Sequence, residues 1–198
     1  MRHENRLLVV KDTIQELGNI GIGAAATSLS ILTHLSVQTD TSELRFLDYS
    51  QIFQQVHVEE QVIGILFPFD KDIRGFGLFV LEKQLAAYLL ENEMHTEFHH
   101  LDTANISMLQ EICSIMMSSY LASIAETTKM KVRIQLPALS IDMKGSIINN
   151  GLSFILQQNK ESYCIDHEFK VRSTNNHLFF LLTLDCIKNI METFCLLY

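Results

Sequence analysis

The chain has 198 residues, 47% of them apolar and 19% charged, with a formal net charge of −8. That apolar fraction excludes a disordered chain and is enough core material for one compact domain or two small fused ones. The acidic balance argues against sequence-independent nucleic-acid binding, which needs clustered Lys and Arg, and no run approaches the roughly 20 apolar residues of a membrane helix.

The first six residues lead into only four apolar ones, Leu7, Leu8, Val9 and Val10, too few for the core of a signal peptide. A long helical pattern then covers 7–34. It carries Asp12, Glu16 and Asn19 at i, i+4 and i+7, one stripe of a helix. Ile14, Leu17 and Ile20 fall off that stripe and are expected to face the core. Gly18, Asn19, Gly21 and Gly23 crowd the middle of this pattern. Each glycine costs roughly 1 kcal/mol of helix stability relative to alanine, so a packing or binding reason is expected for them. A carboxylate and an amide followed by small residues also make a plausible docking surface.

An extended piece follows at 36–39, then an expected helix at 43–56. Two β-type runs come next, 61–69 and 75–81, joined by the polar Asp70-Lys71-Asp72, and a helix at 83–93 closes the half. The middle of the chain, 92–100, is polar. His95 and His99 there have the spacing of two zinc ligands on one helix face. No HExxH motif or nearby cysteine accompanies them, and a solvated connector is the simpler reading.

The same order then returns. A helix is expected at 103–129, an extended piece at 132–136, a helix at 140–157, β-type runs at 162–171 and 177–184 around the polar 173–176, and a helix at 186–195. A shift of 95 residues places Asp12 on Ser107, Glu16 on Glu111 and Asn19 on Ser114. The order α-β-α-β-β-α thus occurs twice, in repeats of about 1–98 and 99–198. One repeat alone would leave an unfinished sheet, whereas two can pair strands and share a core. The expected fold class is α/β (α+β): one pseudo-symmetric domain with a mixed, mostly antiparallel sheet and two long motif-bearing helices.

Charge divides unequally, with 7 basic and 14 acidic residues in 1–99 against 8 and 9 in 100–198. Cys113, Cys164, Cys186 and Cys195 form no CxxC pair and sit among apolar neighbours, so they read as reduced thiols of a cytoplasmic protein. Met108, Met116 and Met117 read as core filler, and the apolar 194–198 as a packing segment. Neither GxGxxG nor a P-loop occurs.

The run Glu16-Leu17-Gly18-Asn19-Ile20-Gly21-Ile22-Gly23-Ala24-Ala25-Ala26-Thr27-Ser28-Leu29 resembles the first signature of the CheC/CheX/FliY phosphatases of bacterial chemotaxis. Glu111-Ile112-Cys113-Ser114, with Ser119-Tyr120-Leu121, resembles their second. The family pattern sets Asp or Ser before Glu, then Asn, then a distant Pro. The first half matches it with Asp12, Glu16 and Asn19 but has Ser42 at the proline position. The second matches with Ser107, Glu111 and Pro137 but has Ser114 for Asn. Leu139 to Gly145 also resembles the stretch after that proline, and the two-site CheC branch is the most similar.

The resemblance implies removal of the phosphoryl group from the aspartate of a phosphorylated CheY-type response regulator. Asn19 would position the attacking water and Glu16 would pair with a receiver lysine. No cofactor is implied on this chain, since the Mg²⁺ belongs to the receiver. Glu111 and Ser114 form a second, degenerate site, because a serine lacks the amide's paired donor and acceptor. Cys113, where the family has glycine, is expected to add bulk to its surface, and Ala24 stands where the family has asparagine. Two functions remain open at this level. One is a phosphatase working mainly through Glu16 and Asn19. The other is a binding module for a receiver, or for a CheD-type receptor deamidase, acting by occupancy.

Overall fold

The computed structural model describes residues 2–40, 43–46, 60–94, 102–158 and 162–194. Helix α1 (Arg2–Thr33) runs unbroken through its glycines. Its inward positions, Ile14, Leu17, Gly18, Gly21, Ile22, Ala25 and Leu29, recur at helical spacing and are all buried. Two short strands follow, β1 (Val37–Thr39) and β2 (Glu43–Phe46), and then a long hairpin of β3 (Gln61–Lys71) and β4 (Gly75–Glu82). Helices α2 (Lys83–Met94) and α3 (Thr103–Thr128) come next. Asp102 caps α3 by accepting the Asn105 backbone N–H at 2.8 Å, and the helix ends on Lys129 in the left-handed conformation. The second half continues with β5 (Val132–Ile134), β6 (Ala138–Met143), α4 (Lys144–Gln158), the hairpin β7 (Ser162–Val171) and β8 (Thr174–Thr183), and α5 (Leu184–Thr193).

The eight strands among the described residues join one sheet in the order β1-β7-β8-β4-β3-β5, with β2 also on β7 and β6 also on β3. Every pairing among the described residues is antiparallel, in keeping with the mostly antiparallel sheet expected. The two halves exchange strands. β1 and β2 of the first half lie on β7 of the second, and β5 and β6 of the second lie on β3 of the first. β4 and β8 pair at the centre.

The major core lies on one face of the sheet, where α1, α2, α3 and α5 bury their apolar sides. A smaller core on the other face joins Ile147 and Ile148 of α4 to Val62, Leu78, Val80 and Leu181. The offset of 95 reappears at the ends of the two long helices. The Thr33 hydroxyl donates to the Leu29 carbonyl at 2.8 Å and accepts the Leu35 N–H at 3.3 Å. Thr128 repeats both bonds with Ile124 and Met130 at the same distances. His34 and Lys129, the next residues, both have positive φ, 56° and 59°.

Several expectations are corrected. Residues 43–46 form a strand on β7 rather than the start of a helix; the rest of the expected 43–56 helix lies outside the described residues, as do Ser42, 95–100 and Cys195. The helix expected at 140–157 begins only at Lys144. Residues 138–143 instead fill the hydrogen-bonding edge of β3, and the Asp142 carboxylate turns the chain into α4 by accepting from Met143 N–H (2.7 Å) and Ser146 Oγ (2.8 Å). The polar 173–176 is mostly strand. Thr174 and Asn176 are buried because Asn176 accepts the Glu82 N–H at 2.9 Å and donates to Thr174, which donates to the Val171 carbonyl. The last helix starts at Leu184, capped by the Thr183 hydroxyl. Met116 and Met117 are buried in the core, and Met108 packs against it.

Candidate functional site

The outward side of α1 is a stripe of Asp12, Glu16, Ile20, Gly23, Thr27 and Ile31, all exposed. Asn19 sits on its flank, half-buried. Of the expected stripe, Asp12, Glu16 and Gly23 lie on this outward side and Asn19 lies beside it, and one expectation is corrected. Ile20 does not face the core: it is 38% exposed, one helical turn beyond Glu16. The sequence misled because three apolar residues at roughly helical intervals were assigned to one side, whereas only Ile14 and Leu17 point inward. At Gly23 a methyl group would meet nothing within 4 Å, so the surface is open there.

The other glycines have a different explanation. A Cβ at Gly18 would stand 2.9 Å from Ile165 Cδ1 and 3.0 Å from His167 Cε1, both on β7. One at Gly21 would stand 2.7 Å from the Tyr120 ring of α3. Gly18 and Gly21 are thus packing residues that let α1 settle against β7 and α3, and Gly23 alone faces outward.

Behind this contact lies a buried polar pair. Tyr120 Oη and His167 Nε2 share a hydrogen bond of 2.8 Å. Burial pushes the His167 imidazole down to about 3, against a smaller opposing pull from Asp166, and so keeps it neutral. Burial pushes the Tyr120 phenol well up. The sequence reading passed over His167. The glycine spacing in α1 was the available signal, since it announced a close approach without naming the partner.

On α3, Ser107 and Glu111 are exposed and Ser114 is half-buried, the same pattern as Asp12, Glu16 and Asn19. The Ser114 hydroxyl donates to the Gln110 carbonyl of its own helix at 2.6 Å. The Gln110 side chain in turn donates to the Pro137 carbonyl at 3.4 Å, bringing the turn between β5 and β6 beside α3. Leu136 in that turn is 91% exposed. Cys113 does not add bulk to this surface. Its side chain is buried in the core, with its thiol pushed beyond the usual range by burial. Cys164 and Cys186 are buried as well.

No helix among the described residues is long and apolar enough to cross a membrane. Among those residues no three His, Cys, Asp or Glu side chains gather in a way that could hold a metal ion.

Residues 9–37, which span this stripe, match the sequence model of the CheC-like family. The CheY-P phosphatase CheC of Bacillus subtilis (strain 168) is 25% identical over 161 residues, covering 78% of this chain and 77% of that protein. The flagellar motor switch phosphatase FliY of the same organism is 26% identical over 135 residues, 66% of this chain, and the chain spans 35% of its length. In fold, the crystal structure of Thermotoga maritima FliY superposes with a TM-score of 0.68 at 21% identity, over 94% of this chain and 96% of that one. A CheX–CheY–BeF₃–Mg²⁺ complex from Borrelia burgdorferi matches with a TM-score of 0.57 at 12% identity, over 83% and 96%. The first helix is thus similar in sequence to the CheC-like family, and the fold as a whole is similar to those of FliY and CheX.

Proposed function

We propose that the protein accelerates hydrolysis of the aspartyl phosphate on a CheY-type receiver, with the site on α1 as the working one. The observation that carries this is the placement of Glu16 and Asn19 on the outer side of α1, beside an open Gly23, in a chain similar to a CheY-P phosphatase. The bare Gly23 lets a partner's backbone approach this helix face closely at that point. Glu16 then offers an exposed carboxylate to a receiver lysine and fixes the docking register. Asn19 accepts a hydrogen bond from a water through its carbonyl and donates through its amide, which holds that water in line with the phosphorus. An aspartyl phosphate on its receiver, with the receiver's Mg²⁺, is already activated, so positioning is most of the remaining work. Asp12, Ser107 and Pro137 support the two motifs.

The second site is proposed to dock without turning over. Ser114 is shorter than asparagine, and its hydroxyl is engaged with the Gln110 carbonyl, while Glu111 remains exposed. That observation keeps a second reading alive for this face: occupancy by a receiver or a CheD-type deamidase as a regulatory act. The strand exchange between the halves supports reading residues 1–198 as one domain of two repeats. A receiver substrate and buried thiols support a cytoplasmic setting.

The test is the decay of a phosphorylated CheY-type receiver with Mg²⁺ present, with the wild type beside Glu16→Ala, Asn19→Ala and Ser114→Asn. Faster decay, abolished by Asn19→Ala while binding persists, is expected, with a gain for Ser114→Asn. Unchanged decay despite measurable receiver binding would leave only the binding module.

A further inference from the structure

The buried Tyr120–His167 pair lies directly beneath the part of α1 that bears Asn19. Gly18, one residue before Asn19, rests on His167 and Ile165, and Gly21, two residues after it, rests on the Tyr120 ring. Both partners of the pair come from the second half of the chain, while the helix they support belongs to the first. The Tyr120 ring is itself held, with its centroid 4.5 Å from that of Phe180, which stacks on Phe69 at 5.1 Å. The polar bond therefore sits in a rigid aromatic setting.

A buried hydroxyl and imidazole cost stability unless they satisfy each other, and a satisfied pair admits few alternative geometries. An apolar pair of equal volume would fill the same space and tolerate sliding. The second helix has no such recess. At the positions equivalent to Gly18 and Gly21 it carries Cys113 and Met116, both buried. The device serves only the helix that retains asparagine.

We propose that Tyr120 and His167 are positioning residues for the first site, holding turn 18–21 of α1, and Asn19 with it, at a fixed depth on the second repeat. The proposal rests on the phosphatase reading for its effect on rate, but not for its effect on the helix. A water placed about 1 Å away from its in-line position can cost about 100-fold in rate, so small shifts of this turn suffice.

Tyr120→Phe is the informative variant, because it keeps the ring against Gly21 and deletes only the shared hydrogen bond. In the phosphoreceiver assay it is expected to lower kcat about tenfold with KM changed less than about twofold. On an Asn19→Ala background it is expected to add no further loss, since it acts through Asn19. Amide hydrogen exchange of the same variant is expected to rise about tenfold over residues 18–23 relative to 27–33 of the same helix. Equal rate losses with and without Asn19, or unchanged exchange at 18–23, would overturn the proposal. A wild type silent toward the phosphoreceiver, combined with the local rise in exchange, would sink the phosphatase reading and leave the positioning of the turn standing.

Discussion

Helices α1 and α3 offer two versions of one element that differ in their middles and agree at their C-terminal ends. Their C-terminal turns share a buried threonine with the same two hydrogen bonds and a following residue at positive φ. Their centres differ. Where α1 has Gly18, Asn19 and Gly21, α3 has Cys113, Ser114 and Met116. The bulkier α3 fills the core with its own side chains. Met117, for example, occupies the space above Gly77, where a methyl group would meet it. The slimmer α1 borrows its support from Tyr120 and His167 of the other repeat. The difference teaches that a helix end closed by a threonine bonding its own backbone has one geometry in both halves. The middles are free to trade bulk between repeats, provided the shared core stays full.

The largest test of this asymmetry is kinetic. Asn19→Ser gives the first site the side chain of the second, and about a 100-fold loss of phosphoreceiver hydrolysis is expected, measured as single-turnover decay. Retention of activity would mean that the two middles differ in packing and not in chemistry. The glycines come next. Gly21→Ala forces a methyl group against a rigid ring and is expected to lower stability by about 1–3 kcal/mol in denaturant melts. Gly23→Ala, in open space, should raise it by up to about 1 kcal/mol while weakening receiver binding if that face is the docking surface. Equal effects at the two positions would remove the distinction drawn between them.

A pH titration of stability isolates the support itself. The folded state holds His167 at about 3, below the ordinary 6.5, so the unfolded chain takes up the proton first as pH falls. Stability contributed by the neutral imidazole is therefore complete above about 6.5 and is lost on going down toward 3, at up to about 1.4 kcal/mol per pH unit. His167→Gln should flatten the slope between about pH 5 and 6.5. That window lies above the range where Asp70 and Asp142, both lowered by hydrogen bonding, begin to protonate. The smallest effect concerns the shared ends. Thr33→Val and Thr128→Val should each cost about 1 kcal/mol, and by similar amounts. A large inequality would break the equivalence of the two caps.

Much of this was legible in the residues. The two long helices, both hairpins, the helix after each, and the outward placement of Asp12 and Glu16 follow from periodicity and from a spacing of 95. The resemblance to a known signature added the expected chemistry. The failures have local causes. Residues 43–46 and 140–143 look ambiguous alone and become strands because β7 and β3 offer unpaired edges. Thr174 and Asn176 read as a polar turn and are buried because they complete each other's hydrogen bonds with Glu82. Ile20 was turned the wrong way because helical spacing fixes relative angles and not which side meets the sheet.

The amino-acid order by itself determined where the two long helices run, that a hairpin and a helix follow in each half, and that Glu16 and Asn19 lie one turn apart on the first helix. Those are consequences of short-range backbone geometry, which neighbouring residues dictate. Only the tertiary structure decided that the halves exchange strands, that Gly18 and Gly21 face inward while Gly23 faces out, and that Tyr120 and His167 meet beneath Asn19. Tyr120 and His167 lie 47 residues apart and meet only when the sheet has closed. A contact of that kind depends on the registry of the whole fold, which no local pattern encodes.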